Sequence, residues 1–141
     1  MTVFFTSEAT AKNGRDGHVK SSTGSIDVNL GNPKPNETPD GSKSNPEELF
    51  ASGYAACYDG ALNLMAKKAG HQIDSTTTAK VSLQSDDEND GFKISVILVV
   101  DIQGVSQEVG EELTAKAHEF CPYSKATRGN IDVEIITQAQ K

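Results

Sequence analysis

Nothing in this chain approaches the ~18 consecutive apolar residues that a membrane-spanning helix requires. The N-terminus also lacks the basic-then-apolar order of a secretory signal, so the expected compartment is the reducing cytoplasm. Cysteine is scarce, with only Cys57 and Cys121. They form no Cys-x-x-Cys pair and have no His-rich spacing around them, which argues against zinc. Without a secretory signal, a permanent structural disulfide is not expected either. Arginine is rare: 11 lysines accompany just Arg15 and Arg128. Because arginine is the residue for a fixed, forked hydrogen-bonding charge, each of the two merits a role of its own. Positive charge is in deficit overall, the net charge being -7. That argues against a nucleic-acid backbone as partner and disfavours an anionic membrane surface. Also missing are a phosphate-binding glycine loop, a nucleophile elbow and a dinucleotide fingerprint.

What is present fits one globular domain over residues 1–141, 35% hydrophobic and 23% charged, long enough to bury a core. Val3-Phe4-Phe5-Thr6 is a β-prone start, and Asn13-Gly14-Arg15-Asp16-Gly17 a turn-rich loop. Ser25 to Leu30 alternates apolar and polar residues as a half-buried strand does. Residues 31–44 hold three prolines and almost nothing apolar, and read as a surface loop. A helix then starts with strong signals: Asn45 to cap, Pro46 at the first helical position, and Glu48 at the capping-box position. It runs to about Ala69, with Lys67-Lys68 and then Gly70 as its stop. Its apolar face is read as Phe50, Tyr54, Cys57, Ala61, Leu64 and Met65, and the small residues of its middle allow another backbone to approach closely. Ala79 to Leu83 alternates, Asp86 to Gly91 is an acidic hairpin loop, and Phe92 to Ile102 reads as a central strand. Ser106 caps a second helix striped by Val109, Leu113, Ala117 and Phe120, which stops at Cys121-Pro122. Ile131 to Ile135 is the last strand. The order β-β-α-β-β-α-β predicts an α+β fold, antiparallel sheet packed on helices.

The two cysteines sit in contrasting settings, and two readings of them stay open: ordinary buried thiols, or a reactive thiol with a resolving partner. On helix position alone Cys57 is a small core hydrophobe. A thiol in an apolar wall is protonated and inert unless a cation lowers its pKa, so a reactive Cys57 requires a positive partner. Arg15, in its glycine-rich loop, is the best candidate, and a buried guanidinium needs a carboxylate in turn. Glu47 and Glu48 open the cysteine's helix, roughly three turns or ~15 Å before it. Both also read as helix-start residues that offset the dipole. His118, one turn before Cys121, reads first as a favourable charge at a helix C-terminus.

Taken together, Gly14-Arg15-Asp16-Gly17, the run from Asn45-Pro46-Glu47-Glu48 through Phe50 and Tyr54 to Cys57, and the run from Cys121-Pro122-Tyr123-Ser124 through Arg128-Gly129-Asn130 to Val133 resemble the organic hydroperoxide resistance (Ohr) family of the OsmC-like superfamily. The resemblance covers nearly the whole chain. It implies antiparallel sheets packed on two central helices, in an intertwined homodimer with its active sites at the subunit interface. It implies a thiol peroxidase without metal or bound cofactor, acting on alkyl and lipid hydroperoxides and recycled by a dihydrolipoyl dithiol carried on a protein. By motif, Cys57 is the peroxidatic thiol, Cys121 the resolving one, Arg15 the activating cation and Glu47 its carboxylate partner. Phe50 and Tyr54 would form the apolar wall for an organic substrate. The competing class is non-enzymatic: a dimeric stress protein or redox sensor whose cysteines pack or signal without turnover.

Overall fold

Asn13 and Gly14 both take left-handed backbone, φ 62° and 64°, a region that asparagine and glycine enter at low cost. In the computed structural model, which describes residues 1–141, they begin the reversal between β1 (Ala9–Lys12) and β2 (His18–Ser21). The single 3-10 turn Gly14–Asp16 lies between these strands and carries Arg15. A Cβ at Gly17 would fall 1.7 Å from the Lys12 carbonyl oxygen, so only glycine closes this turn. β3 (Asp27–Asn29) pairs antiparallel with β2, giving a three-stranded sheet in the order β1-β2-β3.

These strands belong to the first of two compact units, Met1–Leu49 and Phe50–Lys141. The loop at 31–44 is an excursion with pinned ends. Leu30 bridges to Ser44, the Gly31 N–H donates to the Ser44 carbonyl at 3.0 Å, and the Ser44 N–H donates to the Asn29 carbonyl at 2.8 Å. The β-prone start at Val3–Thr6 forms no strand. Val3, Phe4 and Phe5 stay exposed, and no strand of the chain pairs with them.

The second unit is built on the helix α1 (Pro46–Lys68), which begins in the first unit and runs on through the second. Its start is as expected: Asn45 Oδ1 accepts from the Glu48 N–H at 2.8 Å. β4 (Asp74–Ser85) and β5 (Phe92–Gln103) pair antiparallel along their whole length, and β6 (Val133–Gln140) lies on the other side of β5. The β5–β6 pairing is parallel, so the sheet is mixed rather than antiparallel throughout. The cause is the crossover through α2 (Gln107–Phe120) and α3 (Pro122–Thr127), which returns the chain to the end of the sheet where β5 began. Alternate residues of β5, Val96, Leu98, Val100 and Ile102, are fully buried and form one core with Tyr54, Tyr58, Leu62 and Ala66 of α1 and Leu113 and Ala117 of α2. The α+β class is therefore as expected, with the core between the sheet and its helices.

The buried line of α1 is not the one expected. It runs through Tyr54, Tyr58, Ala61, Leu62 and Ala66, while Leu64 is exposed. Tyr54 and Ala61 are common to both lines, and the centre of the buried face is shifted by roughly 70°, less than one residue step. Tyr58 enters the core because its hydroxyl donates to the Thr114 carbonyl at 2.7 Å, so its polar tip is satisfied there. Phe50 and Cys57 consequently lie at the rim of the stripe rather than at its centre, each only partly buried.

Candidate active site

Cys57 and Cys121, 64 positions apart in sequence, are brought together: their Sγ atoms lie 3.5 Å apart, and both are free thiols. A disulfide has its sulfurs about 2.05 Å apart, so the two sulfurs must approach by about 1.5 Å to join. Cys121 is fully buried. It is both the C-cap of α2 and the N-cap of α3, its N–H donating to the Ala117 carbonyl and its own carbonyl accepting from Lys125 N–H. Pro122 ends one helix and opens the next, since proline fits the first helical position and cannot continue the preceding one. The second cysteine is thus held at a fixed corner between two helices.

Burial pushes the Cys57 thiol above its ordinary pKa. The backbone of Tyr123 opposes that push, and the neighbouring Cys121 adds to it. No cation of its own unit is among these influences. Left to these surroundings, Cys57 is a thiol at neutral pH and a poor nucleophile.

Beside it stands an aromatic cluster. Phe50 lies edge-on to Tyr54 and to Tyr123, with ring centroids 6.0 and 5.9 Å apart, and the Tyr54 and Tyr123 rings are 5.7 Å apart. Gly53 makes room for this: a Cβ there would come within 2.6 Å of the Tyr123 hydroxyl. Tyr54 is wholly buried, whereas Phe50 and Tyr123 reach the surface. The sequence marks no role for Tyr123, although it lies two residues after Cys121.

Arg15 and Glu47 are also brought together, within the first unit. The guanidinium grips the carboxylate through both nitrogens, Nη1 to Oε1 at 2.8 Å and Nη2 to Oε2 at 2.9 Å. Such a forked pair fixes orientation as well as charge. Hydrogen bonds from Arg15 hold the Glu47 carboxyl below its usual range, and Glu47 in turn raises Arg15. Asn32 Oδ1 approaches Arg15 Nη1 at 3.5 Å. The Arg15 side chain keeps 41% of its surface exposed against 16% for Glu47, so the cation is the accessible member of the pair. Glu48, the neighbouring carboxylate, accepts from the Ser44 hydroxyl at 2.9 Å.

His118 does not simply complement the end of α2. Its Nδ1 lies 2.9 Å from the buried Ser124 hydroxyl, which in turn meets the Tyr54 hydroxyl at 2.8 Å. Arg128 Nη1 donates to the His118 carbonyl at 2.9 Å. No set of three or more His, Cys, Asp or Glu side chains is arranged to hold a metal ion.

The family described as OsmC-like protein matches residues 39–136. The organic hydroperoxide resistance protein OhrB of Bacillus subtilis is 48% identical over 132 residues, covering 93% of this chain and 96% of that protein. OhrA of the same organism is 44% identical over 135 residues, covering 93% and 94% respectively. Among solved structures, an organic hydroperoxide resistance protein from Elizabethkingia anophelis superposes with a TM-score of 0.90 at 44% identity, covering 99% of this chain and all of that one.

Proposed function

The chain belongs to the OsmC-like superfamily and, within it, to the organic hydroperoxide resistance proteins, and from that premise we propose that it is a cysteine-based peroxidase reducing organic hydroperoxides to alcohols. The observation that carries this reading is the pair of free thiols 3.5 Å apart, one at the rim and one fully buried. Cys57 is the peroxidatic residue and Cys121 the resolving one. The Cys57 thiolate attacks the outer peroxide oxygen, the O–O bond breaks, and the alkoxide leaves as alcohol after taking a proton. Cys57 becomes a sulfenic acid. The Cys121 sulfur then displaces the hydroxyl, forming the S–S bond and releasing water. A dithiol restores both thiols by exchange, and we assign that task to a dihydrolipoyl group on a carrier protein.

Arg15 supplies the positive charge that Cys57 lacks in its own surroundings, and Glu47 aims it. A guanidinium carries five N–H donors, so one that grips a carboxylate keeps further donors for an anion. The Phe50 and Tyr123 rings form the apolar wall for an alkyl chain, with Tyr54 supporting them from behind. Such a wall favours a bulky hydroperoxide over hydrogen peroxide, because only the former buries apolar surface on binding.

The test is turnover of cumene hydroperoxide against hydrogen peroxide, each with dihydrolipoamide and with glutathione. The expected result is rapid consumption of the organic peroxide with the dithiol and weak activity in the other three combinations. Equal rates for both peroxides would remove the role of the wall. Activity with glutathione alone would remove the dithiol.

The working unit on this reading is an intertwined homodimer acting as one domain per subunit, in the cytoplasm. Its support is the exposed apolar start of the chain, with Phe4 and Phe5 at 90% and 82% exposure, more than an isolated protomer comfortably shows to water. Light scattering should return a mass near twice the 15.0 kDa of the chain; a stable, active monomer is the result that defeats the dimer.

A further inference from the structure

Four hydrogen bonds join three helices beside the cysteine pair, and the hydrogens that make them can be counted. His118 Nδ1 meets Ser124 Oγ at 2.9 Å, Ser124 Oγ meets the Tyr54 hydroxyl at 2.8 Å, and that hydroxyl meets Thr127 Oγ1 at 3.2 Å. Thr127 Oγ1 donates to the Ser124 carbonyl at 3.2 Å. Tyr54, Ser124 and Thr127 are all buried, so bulk water does not stand in for a missing partner.

Each hydroxyl carries one hydrogen. The carbonyl only accepts, so the Thr127 hydrogen goes to it. The Tyr54 hydrogen then goes to Thr127, and the Ser124 hydrogen to Tyr54. The hydrogen between Ser124 and His118 is left to come from His118 Nδ1. Burial, with the Arg128 charge adding to it and Glu119 opposing, holds this imidazole below its ordinary pKa. The ring is therefore neutral at neutral pH, protonated on Nδ1 and bare on Nε2.

We propose that this directed chain, running from His118 through Ser124 and Tyr54 to Thr127, positions the resolving cysteine for disulfide closure, with His118 as its donor anchor. The inference rests on the peroxidase reading above. His118 belongs to α2, Tyr54 to α1, and Ser124 and Thr127 to α3. Cys121 is the joint between α2 and α3, and its sulfur stands 3.5 Å from that of Cys57. Locking α3 against α1 and α2 fixes where the Cys121 sulfur stands relative to Cys57. The four residues are positioning residues. The step they serve is attack of the Cys121 sulfur on the Cys57 sulfenic sulfur: an S–S bond forms, the S–O bond breaks, and the hydroxyl leaves as water with the thiol proton.

The experiment uses the full-length protein and one equivalent of cumene hydroperoxide. Rapid quenching and mass spectrometry follow two rates, oxidation of Cys57 and closure of the disulfide. Ser124→Ala and His118→Leu should slow closure by ~10-fold or more, as a sub-ångström misplacement of reacting atoms does, while first oxidation changes far less. His118→Asn should recover most of the closure rate, because its amide N–H stands where Nδ1–H stood. A general loss of stability would slow both steps and would not be relieved by asparagine. Nitrogen NMR of the wild-type ring should show Nδ1 protonated. Closure at the wild-type rate in both disrupting variants, or a ring protonated on Nε2 alone, overturns the proposal. A wild-type protein whose thiols ignore the hydroperoxide overturns the peroxidase reading, and the positioning role falls with it. Normal closure in wild type and variants alike overturns the positioning role alone.

Discussion

Cys57→Ser is expected to abolish hydroperoxide turnover, and Cys121→Ser to leave a single event per subunit followed by a stall. The asymmetry follows from what each sulfur has to do. Displacing an alkoxide from a peroxide needs a polarisable, ionised nucleophile. A serine hydroxyl at the same rim position is neither ionised at neutral pH nor nucleophilic without a base. Cys121 is not needed for that first displacement. It is needed to remove the sulfenic acid that results, and it stands 3.5 Å from Cys57 to do so. Without it the sulfenic acid persists and climbs to sulfinic acid under excess peroxide, a product that thiols do not reverse. The measurement is alcohol released per subunit in a burst, with the mass of the Cys57 peptide read afterwards. One equivalent of alcohol and an over-oxidised Cys57 are expected from Cys121→Ser. Sustained turnover of that variant with a dithiol would remove the resolving role, because the reductant would then be reaching the sulfenic acid directly.

The sequence carried the helix that bears Cys57 because capping is local: Asn45, Pro46 and the acidic first turn lie within four residues of one another. It carried β5 as a central strand for the same reason, a long β-rich run being a local signal. The rotational setting of α1 was not legible. A tyrosine at position 58 looks like a surface residue until its hydroxyl finds the Thr114 carbonyl, 56 positions away. The parallel register of β6 depends on the path of the crossover, which local pattern does not encode. Arg15 and Glu47, 32 positions apart, were paired through family resemblance, with bare chemistry supplying only the need for a carboxylate near a held guanidinium. The hydroxyl chain was invisible for a related reason. Serine, threonine and tyrosine are common enough that nothing marks Tyr54, Ser124 and Thr127 as neighbours until the fold places them, whereas two cysteines in a chain of 141 residues draw notice at once.

Arg15→Ala is expected to raise the pKa of Cys57 by ~1 unit or more, about 1.4 kcal/mol per unit, and to slow peroxide reduction at neutral pH accordingly. The starting point is the direction already present at the sulfur: burial pushes the thiol up, and only the backbone of Tyr123 relieves it. A nearby guanidinium acts in the opposite sense, because it favours the ionised form. Arg15→Lys should restore part of the loss, since an ammonium supplies charge but cannot hold a carboxylate and face a thiolate through one rigid fork. Glu47→Ala should act through aim rather than charge. It removes the repulsive carboxylate, yet it frees a side chain already 41% exposed to turn into solvent. The pH dependence of the pair has a definite sign. The Glu47 carboxyl is lowered in the folded protein, so its contribution is complete above the ordinary carboxylate pKa of about 4.3. That contribution is lost as pH falls through the depressed value. As pH falls, protonation of Cys57, which burial favours, limits the rate before the ion pair opens. Titrating Cys57 alkylation in a Cys121→Ser background reads the pKa without interference from the second thiol. An unshifted curve together with an undiminished peroxidase rate in Arg15→Ala would take the activating role away from this arginine. Arg128 would then be the other arginine to test, although its guanidinium already donates to the His118 carbonyl.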